Sequence, residues 1–342
     1  MPTNILSRGD VNALIPVEEA AEIAQAVTQE STILRLGRRL RDMTSLQRTM
    51  PVLDALPMAY FVNGEAGDET GEKGLKRTTR MAWRNKVLHA EEIAVIVPIP
   101  ENVLDDSQFP IWTEVVPHVR QAIGQVIDGA IMFGANAPST WPGGLVPSAQ
   151  AAGNTVTAGT GEDLYDDILG VGGTYAAVEA DGYMVSGNVA HPTFMAQLRG
   201  LRDGPTGQPL FQRAQPLGQD VQTATRYDLA GVPVLFQTNG AYDDAEAALL
   251  SGDFSQLVYS IRKDISFKIL TEAVISDADG KIILNLAQQD SVAMRVVMRL
   301  AWQLPNPLNP LALTEGGLVG AGGAAQVGRY PFAVLRPAGW VA

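Results

Sequence analysis

The chain has 342 residues, a formal net charge of −12, 46% hydrophobic and 18% charged residues, 34 Gly and 21 Pro, which allows two domains or one elaborate one with a real core and a turn-rich, mixed or β-leaning fold. The absence of Cys excludes disulfides, thiolate metal sites and cysteine nucleophiles, and the acidic balance excludes coating of nucleic acid through a broad basic face, though not a container whose wall must not stick to its contents. No apolar run approaches the ~20 residues that cross a bilayer and no signal peptide is visible, so a soluble, non-exported protein is expected.

From the N-terminus, residues 1–35 begin polar, and 16–27 reads as a short helix. Pro16 takes its first position, Glu18 and Glu19 its first turn, and Val17, Ala20, Ile23, Ala24 and Val27 form one stripe. Two readings stand side by side: a surface helix packed on its own domain, and an arm docked on a neighbouring molecule.

Residues 36–97 contain two long extended arms, 46–62 and 75–97. The tip between them, 63–74, has no apolar residue larger than Ala, as in a hairpin with a long loop. An isolated two-stranded hairpin is marginal in water, so the outer part needs another surface. In the returning arm Met81, Trp83, Val87, Ile93, Val95 and Val97 share one parity, and Arg80, Arg84 and Lys86 the other. That alternation predicts one long strand with an apolar face and a basic face. Lys73, Lys76, Arg77, Arg80, Arg84 and Lys86 concentrate positive charge in an otherwise acidic chain, suited to lying on an acidic neighbour. A solvated charged face and a half-buried edge strand are the simpler alternatives.

Residues 98–134 carry the longest helical pattern. Asp105 and Asp106 offer N-cap chemistry and Pro110 suits the first turn. Ile111, Val115, Val119, Ile123, Val126, Ala130 and Phe133 follow a 3-to-4 spacing over roughly six turns. Pro117 lies inside and predicts a bend or a late helix start, because an internal Pro costs ~3 kcal/mol. Residues 135–160 read as an irregular connection. A helix is expected over 161–180, weakened by Gly170, Gly172 and Gly173, then a strand at 183–186, a helix over 191–201, and strands at 232–236 and 256–260. Long strands return at 265–275, 281–286 and 292–304, and residues 315–342 are Gly-rich, then Pro-rich.

The chain offers little to a search for chemistry. His89, His118 and His191 form no pair at metal-ligand spacing. Nucleophile-elbow and P-loop motifs are missing. Residues 320–325 match the loose dinucleotide pattern without room for a βαβ unit. Asp166–Asp167 and Asp243–Asp244 lack the spacing of a calcium loop and read as solvated loop or helix-end charges. No catalytic, cofactor-binding or metal-binding residues are predicted, the chain is read as not an enzyme, and its special features serve interfaces.

The order of parts resembles the phage capsid family, the Hong Kong 97-type α+β fold of tailed-phage major capsid proteins, over roughly residues 10–314. The local strings that carry the resemblance are Val11-Asn-Ala-Leu-Ile-Pro16, Met50-Pro-Val-Leu53, Ala90-Glu-Glu-Ile-Ala-Val-Ile-Val-Pro-Ile-Pro100 and Gly252-Asp-Phe-Ser255. The resemblance implies an N-terminal arm (1–35), an extended loop (36–97), a peripheral domain with a spine helix (98–135 and 266–304), an axial domain (136–265 and 305–314) and a C-terminal tail (315–342). It implies loop contacts to a neighbouring subunit through Glu65, Asp68, Glu69, Glu72, Lys73, Lys76, Arg77, Arg80 and Arg84.

As partners the resemblance implies copies of the chain in pentamers and hexamers, a separate scaffold protein, a portal, a decoration protein, and double-stranded DNA held without sequence-specific binding. It places the chain in the virion, assembled in the bacterial cytoplasm, with no cofactor and no membrane. Two alternatives stay open: an encapsulin-type compartment shell, which the 16–27 helix keeps in view, and a soluble α/β enzyme.

Overall fold

A computed structural model of the chain describes residues 31–55, 81–106, 111–200, 211–214, 226–277, 279–306 and 329–338. In chain order the first elements are α1 (Thr32–Leu36), β1 (Arg38–Arg39), β2 (Gln47–Ala55), β3 (Ala82–His89), β4 (Glu91–Pro100), α2 (Glu101–Asp106) and α3 (Ile111–Phe133). Next come α4 (Leu145–Ala152), β5 (Thr155–Thr157), α5 (Leu164–Leu169), α6 (Thr174–Ala180), β6 (Gly187–Ala190) and α7 (Met195–Leu198). Strands then dominate: β7 (Phe211–Ala214), β8 (Arg226–Leu229), β9 (Val232–Phe236), β10 (Leu249–Gly252), β11 (Val258–Leu270), β12 (Val274–Ser276), β13 (Ile282–Asn285), β14 (Ser291–Gln303) and β15 (Phe332–Arg336). The result is α+β.

Among the described residues two larger sheets share one apolar core. The first has the order β1–β11–β14–β4. Its long central strands pair antiparallel, with register shifts near Lys263 and Ser266. Strand β4 runs antiparallel to β14 from Pro100 opposite Ser291 to Glu91 opposite Leu300. One face presents Met294, Val296, Met298 and Leu300, flanked by Ile93, Val95 and Val97, to Val119, Ile123, Ile127 and Ile131 of α3. Full burial of each such side chain contributes about 1.5–3 kcal/mol, so α3 is fixed by packing rather than propensity.

The second sheet has the order β5–β15–β10–β6–β9–β8–β7. Val189, Leu250, Phe332 and Val334 face the α3 core, while Ala190, Leu249 and Leu335 face Ile168, Tyr175, Phe194 and Leu198 on the other side. At Gly252 the backbone of β15 comes so close that a Cβ would stand 2.5 Å from the Pro331 carbonyl oxygen. Strand pairing at that point requires glycine.

Several expectations need correction. The 75–97 arm is not one strand: it breaks at Ala90, with β3 paired to β2 and β4 to β14. Helix α3 runs from Ile111 through Pro117 without interruption. Its buried stripe passes from Ile123 to Ile127 and Ile131 and leaves Val126 half-exposed, because four-residue steps keep Ile127 and Ile131 on the core side while position 126 falls to its edge. The 161–180 helix is two, α5 and α6, separated where Gly170, Gly172 and Gly173 stand, and Gly172 has φ +95°. The strand expected at 183–186 forms at Gly187–Ala190, and 191–201 yields a 3-10 turn plus the single turn α7. The 135–160 connection contains α4 and β5, and the 315–342 tail contains β15, an inner strand of the second sheet. The 16–27 helix, the 63–74 tip and residues 320–325 lie outside the described residues.

A hairpin stem as candidate assembly interface

The stem of the extended loop is the two-stranded sheet β2–β3, paired from Gln47 opposite His89 to Ala55 opposite Ala82. Its root is fixed to the body. Leu88 and Ala90 are buried with Met43 and Ala301, and Leu40 and Met50 pack against them. Backbone and side-chain bonds hold the same end. The Ala90 amide donates to the Leu46 carbonyl at 2.9 Å, Trp141 Nε1 donates to the His89 carbonyl at 3.1 Å, and Gln303 Nε2 donates to the Val87 carbonyl at 3.0 Å.

The single apolar face expected along 81–97 does not carry through β3. Even-numbered Leu88 and Ala90 point into the body, so odd-numbered Met81 and Trp83 point outward, 46% and 60% exposed. The break at Ala90 makes this possible, since side chains alternate strictly only within one uninterrupted strand. In β4 the odd residues Ile93, Val95 and Val97 do pack inward. The stem therefore carries Trp83 opposite Leu53, with Met81, Pro51 and Leu46 also exposed. An apolar indole left open on a two-stranded sheet is the side chain a partner surface would cover.

Of the charged residues expected on the loop, Arg84 is described. Its Nε lies 3.4 Å from Asp54 Oδ1, and its Nη2 donates to the Asn306 carbonyl at 3.4 Å. It ties the stem to its own chain. Lys86, half-buried beside it, is held below the usual lysine range by burial and then by the Arg84 charge. Glu65, Asp68, Glu69, Glu72, Lys73, Lys76, Arg77 and Arg80 lie outside the described residues.

A second feature ties the segment entering α1 to α3 and to the loop after β9. Asp128 is fully buried on α3. Its Oδ1 accepts from Ser31 Oγ at 2.5 Å and from the Ile33 amide at 3.3 Å, and its Oδ2 from the Thr32 amide at 3.0 Å. Gln237 Nε2 and Asn239 Nδ2 also donate to Oδ2, each at 2.8 Å. Burial pushes this carboxyl up to about 6, against the pull of its hydrogen bonds. The sequence signal was a lone acid in the apolar run Val126-Ile-Asp-Gly-Ala-Ile131. Asp167 is a second buried acid with the opposite shift: burial raises it, but hydrogen bonds from Gly159, Gly161 and Thr160 outweigh that and hold it below the usual carboxylate range. Expected to be solvated, it is buried and accepts from the Gly159 and Gly161 amides at 2.6 and 2.8 Å. Among the described residues no group of three or more His, Asp or Glu is placed to hold a metal ion, and no helix is long and apolar enough to cross a membrane.

This arrangement defines a class: an α+β fold of the Hong Kong 97 type, with a projecting strand stem, a spine helix and two sheets. The phage capsid family profile matches residues 12–315, and the chain belongs to that family. A curated relative, the major capsid protein of Staphylococcus phage 80alpha, is 25% identical over 304 residues, which cover 88% of this chain and 84% of that one. Among solved structures, a chain from Microbacterium phage Oxtober96 is 38% identical with a TM-score of 0.71, covering 97% of this chain and 99% of that one. A chain from Mycobacterium phage Bobi is 30% identical with a TM-score of 0.70, covering 98% and 100%.

Proposed function

We propose that this chain is the major capsid protein of a tailed phage, which self-assembles through pentamers and hexamers into an icosahedral shell around double-stranded DNA. The observation that carries the mechanism is the stem's open apolar face, with Trp83 60% exposed on a sheet of two strands. A neighbouring copy covers that face, and the loop beyond it, including Glu65 to Arg80, continues onto the same neighbour. Each contact is weak, and symmetry closes many of them into a stable shell.

The role is structural, not catalytic. We assign α3 with the β1–β11–β14–β4 sheet to a peripheral domain and the second sheet, with β15, to an axial domain that meets its equivalents at the symmetry axes. Scaffold, portal and decoration proteins are the further partners, DNA is held without sequence recognition, and the shell assembles in the bacterial cytoplasm.

Electron microscopy of the purified chain tests the reading. Closed shells are expected, and a monodisperse monomer at high concentration would contradict it. Trp83→Glu should fold with stability within about 0.5 kcal/mol of the parent, as exposed sites do, yet form few shells. Wild-type shell yield from that variant would show the stem face to be idle.

A further inference from the structure

Beyond its root the stem meets the body a second time. On β3 the side chains that face the body run outward from Leu88, buried, through Lys86, half-buried, to Arg84. Arg84 lies about 20 Å along the chain from the break at Ala90, by strand rise. Among the described residues its bond to the Asn306 carbonyl, 3.4 Å from Nη2, is the outermost hydrogen bond between stem and body. Asn306 follows β14 and has φ +44°, a left-handed conformation that asparagine tolerates better than most residues. Its carboxamide is engaged at both atoms by segments leading into the second sheet. Tyr183, between α6 and β6, donates its hydroxyl to Oδ1, and Arg329, at the entry to β15, donates to the same oxygen from Nη2 at 3.4 Å. Asn306 Nδ2 donates to the Arg329 carbonyl at 3.0 Å. The Arg329 guanidinium also lies over the Tyr183 ring, 5.5 Å from its centre.

We propose that Asn306 is a positioning residue for assembly, the middle of a strut that aims the stem from the second sheet. Its backbone carbonyl takes the stem through Arg84, and its carboxamide takes the second sheet through Tyr183 and Arg329. The root bonds at Val87, His89 and Ala90 lie next to one another and act as a pivot. A pivot fixes where the stem starts, and a second support farther out fixes where it points. Trp83 is the neighbour of Arg84 on β3 and stands on the opposite face, so the strut that holds Arg84 also sets where the indole meets another copy. A shift of the second sheet is passed along this hydrogen-bonded chain to the contact between copies. The inference rests on the shell-subunit reading and adds the residues that direct the stem.

Distance measurement between spin labels tests it. The chain has no Cys, so labels at Met81→Cys on the stem and Val171→Cys in the exposed loop between α5 and α6 report the stem's direction against the second sheet without background. Labelled chains are diluted into excess unlabelled chain, and a single narrow distance distribution is expected. Arg84→Met, Asn306→Gly, which keeps the left-handed backbone, and Tyr183→Phe, which lies outside the stem, should each widen it about twofold. Arg84→Met should keep the parent's unfolding midpoint, since this side chain is exposed. Its closed-shell yield should fall about tenfold, because the misplacement recurs at every contact. An unchanged distribution in Arg84→Met overturns the inference. So does widening in Arg84→Met with none in Asn306→Gly and Tyr183→Phe, which would tie the stem to a carbonyl without reaching the second sheet. Widening with wild-type shell yield also overturns it, since the stem's direction would then not matter to assembly. If the otherwise wild-type chain closes no shells, the shell reading itself fails, and the strut is judged by the distributions alone.

Discussion

Asp128 is a charge buried where three parts of the chain meet: the segment entering α1, the helix α3 and the loop after β9. Five donors converge on its two oxygens. Asp128→Asn puts an amide donor among those donors, so at least one pair must break. The expected loss is about 2–4 kcal/mol of unfolding free energy, measurable by chemical denaturation. The pH dependence follows from the direction of the shift. The folded chain holds this proton up to about 6 while an unfolded chain releases it near 3.8, so protonation favours the folded state. The site's contribution therefore rises as pH falls through 6 and is lost as pH rises through it. Between pH 7 and pH 5 the stability gap between wild type and Asp128→Asn should widen by about 1 kcal/mol. A constant gap would mean that the carboxylate stays ionised throughout.

At the scale of elements, β15 carries the clearest prediction. Phe332, Ala333, Val334 and Leu335 are fully buried between β5 and β10. Removing residues 329–342 takes away these side chains and opens the inner edges of β5 and β10. The loss exceeds about 5 kcal/mol, enough to leave most domains unfolded, and the truncated chain should be insoluble on expression. A soluble truncation with an unchanged circular dichroism spectrum would show β15 to be an accessory.

The sequence signal for β15 was present in Phe332-Ala-Val-Leu335, a short apolar run closed by Pro331 and Pro337. A run that short is helix or strand by periodicity alone, and its place in a sheet depends on partners about 80 and 180 residues away. The long strands β11 and β14 and the helix α3 were legible because each repeats its pattern many times. The break at Ala90 was not, because Ala is compatible with a continuing strand and the two arms differ only in which sheet receives them.

At the scale of the molecule, the chain spends a large core on holding three things in fixed relation: a spine helix, a seven-stranded sheet beside it and a projecting stem. The class of function was legible from the order of those parts. The side chains of the interface were less so. Alternation in 81–97 put Trp83 on one apolar face with Ile93, Val95 and Val97, and the change of sheet at Ala90 separates them. The basic residues of the loop were legible as a cluster, yet Arg84 is bound to Asp54 and Asn306 of its own chain. The opposed cations of β11 and β14, Lys268 across from Arg295 and Lys263 across from Arg299, were hidden, since being opposite one another is a property of register.

The central claim is that the stem's apolar face is completed by another copy, and a reconstruction of the assembled particle by electron cryo-microscopy tests it most directly. Trp83 of each subunit is expected against a neighbouring subunit, with its indole removed from solvent. A closed shell in which Trp83 still faces solvent would contradict the account.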